Sequence, residues 1–184
     1  MNRTKLALTL SLMLFLAACS QGEKTSNQAG ANTGKQASST NDQAVSTKTP
    51  PADVVKASAD PVEVKAGASA EANVKLTVAS GYHINANPAS FDYLIPTALQ
   101  LQPGPDITAD APVYPASVTK QFKFSPQPLK VYEGDVSIKV NLKAGSKAQK
   151  GEQKVAAHVR VQPCDEESCY PPRTIETTIP VTVK

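Results

Sequence analysis

Tryptophan is absent from this chain, and both methionines, Met1 and Met13, fall within the first 18 residues. Beyond them there is no thioether, the soft donor that copper(I) sites favour. Long apolar runs are missing as well. The longest, residues 6–16, is well short of the roughly 20 residues a helix needs to cross a bilayer, so no transmembrane helix is expected. Charge of one sign is scarce: 19 Lys and Arg stand against 16 Asp and Glu, with no basic stripe interleaved with aromatics. A nucleic-acid surface is therefore excluded. The chain has no Gly-x-Ser-x-Gly elbow, no phosphate-binding loop and no His-Glu-x-x-His, which leaves serine-hydrolase, nucleotide and zinc-protease chemistry without support. No internal repeat is visible.

The first 18 residues read as a signal peptide: a positive start with Arg3 and Lys5, an apolar stretch, then the small pair Ala17-Ala18. The segment Leu16-Ala17-Ala18-Cys19 resembles the lipobox of bacterial lipoproteins. That resemblance implies that Cys19 is acylated and becomes the first residue of the mature chain, with several acyl chains giving stable anchoring where one would not. Ser20 stands where an Asp would favour the inner membrane, so the outer membrane is the expected address. Loss of Arg3 and Lys5 with the signal lowers the formal charge from +3 to +1.

Residues 20–51 are mostly Ser, Thr, Gln, Asn, Gly, Ala and Lys, and Val45 is their one branched aliphatic side chain. So little apolar surface cannot offset chain entropy, and a flexible tether spanning about 30 Å is expected. The expected organisation is thus a signal peptide (1–18), a lipid anchor and tether (19–52), and one folded domain (53–184), long enough to bury an ordinary core.

Within that domain, residues 61–65, 72–78, 136–142, 155–161 and 175–183 alternate apolar with polar or small side chains. Alternation with period two is the mark of strands that bury one face. Turn signals at 65–67, 80–81, 102–105, 133–135 and 143–145 separate them, and no segment has the period of a three-turn helix. The pattern predicts an all-β, immunoglobulin-like antiparallel β-sandwich; without tryptophan it is not a true immunoglobulin domain.

If Cys19 carries lipid, Cys164 and Cys169 are the only pair left. They flank Asp165-Glu166-Glu167-Ser168, and an antiparallel hairpin brings opposite residues near the Cα separation of about 5.5 Å that a disulfide needs. By loop entropy such a bond contributes only about 2 kcal/mol, so its structural value is small. The acidic turn, however, disfavours a reactive thiolate. On physical grounds the bond reads equally as an inert staple and as a redox tool.

The segment Cys164-Asp165-Glu166-Glu167-Ser168-Cys169-Tyr170-Pro171-Pro172 resembles the active-site signature of the N-terminal periplasmic domain of DsbD-type thiol:disulfide interchange proteins. The residues Gly81-Tyr82-His83-Ile84-Asn85-Ala86-Asn87, Leu94-Ile95-Pro96-Thr97, Phe122-Lys123-Phe124 and Val131-Tyr132-Glu133-Gly134 are similar to further parts of it. The resemblance implies a cysteine pair that cycles between disulfide and dithiol without a cofactor. Electrons would come from a membrane thiol-transfer protein and pass to thioredoxin-like periplasmic proteins. It also implies an aromatic cap over the cysteines, with Phe124 preferred to Phe122, and attack at Cys169.

The chain departs from that family in having four residues between its cysteines where enterobacterial members have five. No membrane electron-transfer or thioredoxin-like domain is expected alongside the sandwich, so another protein is expected to supply electrons. The rival reading is a lipoprotein interaction module with an inert disulfide. His83 and His158 each sit in a strand pattern and read as packed or surface residues. A zinc site combining them with Cys164 and Cys169 is disfavoured, and no metal is assigned. Tyr82, Tyr170 and His83 are expected around the pair.

Overall fold

The computed structural model describes residues 49–184. The signal peptide, Cys19 and the tether up to residue 48 lie outside the described residues. Twelve strands follow in order: β1 (Val55–Ala59), β2 (Val62–Val64), β3 (Ser69–Val78), β4 (His83–Asn85), β5 (Ala98–Gln102) and β6 (Ile107–Ala109) come first. The second half holds β7 (Val118–Lys120), β8 (Leu129–Tyr132), β9 (Asp135–Ala144), β10 (Gly151–Val161), β11 (Pro163–Cys164) and β12 (Arg173–Val183). No helix occurs among the described residues.

Three four-stranded sheets result, in the orders β1-β3-β9-β6, β2-β12-β10-β5 and β11-β4-β8-β7. The first two bury a common core between them. In β9, Val136, Ile138, Val140, Leu142 and Ala144 point inward, while Asp135, Ser137, Lys139, Asn141 and Lys143 face solvent. Val74 and Leu76 of β3, Val155, Ala157, Val159 and Val161 of β10, and Ile179 of β12 are fully buried with them. Each Val, Leu or Ile side chain among them contributes about 1.5–3 kcal/mol on leaving water. The alternation therefore sets the register, because a slip by one residue would turn the whole set outward. The fold is an all-β, immunoglobulin-like sandwich.

One pairing differs from the purely antiparallel expectation: β2 runs parallel to β12, with Val62 opposite Val181 and Val64 opposite Val183. The reason lies at Asp60-Pro61. Here β1, paired with β3 in the first sheet, gives way to β2 in the second. Proline lacks the N–H to continue a ladder, so the chain changes partner at that point.

The third sheet is small and lies at the end of the sandwich where β10 runs on through Gln162 into β11. Its strand β4 is entered through a turn in which Tyr82 N donates to Ala79 O. Gly81 has φ +82 there, in the left-handed region where a side chain is strained. That turn delivers Tyr82 and His83 to the sheet that carries the cysteines.

Candidate functional site

Cys164 is the last residue of β11, and Cys169 faces it across the turn 165–168 in an isolated antiparallel bridge. The two are joined by a disulfide with a Cα separation of 4.0 Å. That is shorter than the sequence-based 5.5 Å, and the hydrogen bonding explains it. Asp165 N donates to Ser168 O and Tyr170 N donates to Pro163 O, so the cysteines occupy the non-hydrogen-bonded position between two bonded pairs. There the backbones approach more closely.

The two sulfur-bearing residues are not equivalent. Cys164 is fully buried, whereas Cys169 is partly exposed. The Cys164 sulfur lies 3.8 Å from the Gln162 carbonyl oxygen.

Asp165 is committed to the turn. Its Oδ1 accepts from the backbone N–H groups of Glu167 and Ser168, both at 2.9 Å, and its Oδ2 accepts from the Tyr170 hydroxyl at 2.5 Å. Burial opposes ionisation of this carboxyl, but the Tyr170 and backbone hydrogen bonds outweigh it and hold the group below its usual range. The same bond, with burial, pushes the Tyr170 hydroxyl up to about 12. Tyr170 is buried and its ring lies 6.2 Å from that of Tyr82. The acidic turn is thus divided: Asp165 braces the hairpin, while Glu166 and Glu167 remain exposed.

On the other side of β11, His83 is the ladder partner of Cys164. Its side chain is only 1% exposed and its Nε2 has no hydrogen-bond partner among the described residues. The Phe122 ring stacks on the imidazole at 4.0 Å, and the Phe124 ring lies 6.3 Å from it. Desolvation lowers the His83 pKa to about 4, the nearby Glu133 carboxylate opposing the shift. At neutral pH the ring is uncharged.

The segment between β7 and β8 carries both phenylalanines. Phe122 is 2% exposed and packs with Leu129 and Val131, while Phe124 is partly exposed and rests on that cluster together with Phe91 and Leu94. Sequence reasoning grouped Phe122 and Phe124 as alternatives. The structure brings both to His83, with Phe122 as the inner ring and Phe124 as the outer. Lys120 approaches the Phe122 ring at 5.9 Å and is paired with Glu133 at 2.6 Å.

His158 lies in β10, opposite Gln100 and Glu176, in a different sheet from the cysteines. Among the described residues no group of three or more His, Cys, Asp or Glu is placed to hold a metal ion.

Sequence reasoning missed Gln162. This side chain accepts from Asn85 Nδ2 (3.1 Å) and Ile95 N (3.2 Å) and donates to Tyr170 O (3.3 Å). Asn85 also donates to Ile95 O, and Thr97 donates through its hydroxyl to Asn85 O at 2.7 Å. Together they tie the loop before β5 to β4 and to the hairpin, fixing the base of the cysteine pair. A buried amide just ahead of a cysteine in an otherwise apolar strand was the available signal, since such a group must find partners.

The site is a hairpin disulfide at the end of an immunoglobulin-like sandwich, with Cys164 buried and Cys169 partly exposed. The family model described as "Thiol:disulfide interchange protein DsbD, N-terminal" matches residues 51–180, and the chain belongs to that family. Among solved structures, the chain is similar to the reduced DsbD N-terminal domain of Neisseria meningitidis, at 19% identity and TM-score 0.41 over 71% of this chain and 87% of that one. It is also similar to the N-terminal periplasmic domain of ScsB from Proteus mirabilis, at 11% identity and TM-score 0.44 over 68% of this chain and 44% of that one. A type I cohesin from Pseudobacteroides cellulosolvens matches at 8% identity and TM-score 0.43, over 71% and 92% of the respective chains. No curated protein matches the chain in sequence. Family and disulfide together fit thiol–disulfide exchange.

Proposed function

We propose that the protein relays electrons by thiol–disulfide exchange between a membrane thiol-transfer protein and thioredoxin-like periplasmic partners, with Cys164 and Cys169 as the reacting pair. The observation that carries this reading is the asymmetry of the disulfide: Cys164 is fully buried and Cys169 is partly exposed. A partner thiolate attacks Cys169, and Cys164 leaves as the thiolate. Phe124 and Phe122 form the cap, Phe124 being the ring a docking partner displaces, while Tyr170 and Asp165 keep the hairpin in shape as the bond opens. No cofactor takes part. Residues 53–184 act as the reactive domain, carried on the tether of residues 19–52 after removal of the signal peptide of residues 1–18.

The reduction potential tests the assignment. Equilibration of the pair in glutathione or dithiothreitol buffers is expected to give a value above about −300 mV, in the range of bonds that exchange. A value well below that marks an inert structural bond and favours the interaction-module reading.

The same reading has the domain held at the outer membrane, facing the periplasm, through acyl chains on Cys19. The support is the lipobox-like segment ending at that cysteine. Cys19→Ala is expected to move the protein from the membrane fraction to the soluble fraction or to leave it unprocessed. Membrane-bound, fully processed Cys19→Ala protein would count against the anchor.

A further inference from the structure

Cys164 has two cross-strand partners. His83 lies opposite it on β4, and Cys169 lies opposite it across the turn. Directly opposed residues of an antiparallel sheet project to the same face, with Cβ atoms about 4.5–5.5 Å apart. His83, Cys164 and Cys169 therefore form a row of three side chains, with Cys164 in the middle. At one end of the row the imidazole Nε2 is buried and has no hydrogen-bond partner among the described residues. An unsatisfied buried polar atom is costly, and a native site that keeps one needs a reason.

We propose that His83 is a further residue of the exchange site, whose ring nitrogen forms a hydrogen bond with the Cys164 sulfur once the disulfide opens. The inference rests on the exchange reading above. A partner thiolate attacks Sγ of Cys169, the Cys164–Cys169 bond breaks, and its electron pair leaves on Sγ of Cys164. One disulfide replaces another, so no external oxidant or reductant enters the step. The new thiolate is formed in a fully buried position, where charge is least tolerated. A neutral imidazole has two tautomers, so the nitrogen facing the sulfur donates to the thiolate when it carries the proton and accepts from the thiol when the other nitrogen does. Burial keeps the ring neutral at physiological pH. The charged groups facing it are Glu133 beyond β8, Lys120 at the end of β7 and Asp165 in the turn. Phe122 covers the ring, so water does not compete for the nitrogen until the cap moves.

The test uses the full chain carrying Cys169→Ser, in which Cys164 is the free sulfur. Alkylation of Cys164 by iodoacetamide is followed from about pH 5 to about pH 10 by mass spectrometry of its own peptide, which separates it from Cys19. Adding His83→Phe keeps a flat ring on Phe122 but removes both nitrogens. The midpoint of the alkylation profile is expected to rise by about one pH unit or more, a tenfold loss of thiolate at neutral pH. His83→Gln, which keeps an N–H, is expected to shift it less. Equal midpoints in all three proteins overturn the proposal. A second measurement uses the unsubstituted chain: reduction with dithiothreitol is expected to move the His83 ring-nitrogen resonances, and unchanged resonances overturn the proposal equally. Neither experiment involves a partner protein. A shift without any exchange activity would sink the relay and leave the hydrogen bond standing, whereas exchange without a shift would do the reverse.

Discussion

Cys164→Ala is expected to accumulate a mixed disulfide with a thioredoxin-like protein that lacks its resolving cysteine and carries the remaining one as a disulfide with thionitrobenzoate, which leaves as the thiolate. Cys169→Ala is expected to form the mixed disulfide at least about a hundredfold more slowly. In Cys164→Ala the remaining sulfur, Cys169, is the partly exposed one, and no neighbouring thiol is left to release the partner. In Cys169→Ala the remaining sulfur is fully buried. An incoming disulfide reaches it only after local opening, and an opening free energy of about 3 kcal/mol corresponds to that hundredfold. Non-reducing electrophoresis of the two variants, mixed separately with the same partner, reads the difference. Equal trapping by both would mean that the cap and hairpin open together at little cost, and the burial asymmetry would then not direct the attack.

The long strands of the sandwich were legible because the period of the sequence is the period of the structure. Residues 136–142 alternate strictly, and β9 buries the apolar members of that run. The short β2 was legible too, within residues 61–65, but β11 and the bounds of β4 were not. In β4 all three of His83, Ile84 and Asn85 are buried, and in β11 both Pro163 and Cys164 are, so neither shows alternation. They are covered on both faces, by the sheet's own packing and by the loops above it. A pattern rule that looks for one wet face cannot see such strands. Those are also the strands that carry the site. The cysteine pair was legible from count and spacing, but its asymmetry was not, since burial of one sulfur depends on β4, the cap segment and the Gln162 network meeting at one point. Likewise Asp165 looked like one of three charges that disfavour thiolate. Its side chain is instead consumed by two backbone amides and a tyrosine, a role that only the turn geometry assigns.

Lowering the pH from above about 6.5 to about 4 is expected to remove about 3 kcal/mol of folding stability through His83 alone. In the unfolded chain the imidazole titrates near its ordinary value of 6.5, whereas in the fold it titrates at about 4, mainly because burial disfavours the charged ring. Above the unfolded value both states are neutral and the group has no effect. Between the two values the unfolded chain binds a proton that the folded chain does not, so stability falls with pH at up to about 1.4 kcal/mol per unit. Below about 4 both states are protonated and the loss levels off. Asp165 acts in a different window, because its folded pKa is held below its ordinary value of 3.8. Its contribution is present above that value and is lost only as pH falls through its lower, folded one. Urea unfolding at about pH 7.5 and about pH 4.5 separates the two, since the upper value lies above the His83 window and the lower one near its end. His83→Phe, which has no proton to bind, is expected to flatten the slope between those values and leave the steeper loss at lower pH in place. The cap makes the same linkage local. Any state in which Phe122 leaves the imidazole and water reaches it gains a proton on the way down in pH, so protection of the amides in residues 121–128, relative to their intrinsic exchange rate at each pH, should fall in the same window, and less so in His83→Phe. A wild-type slope no steeper than that of His83→Phe would mean that the ring is hydrated in the folded protein and that Phe122 does not seal it.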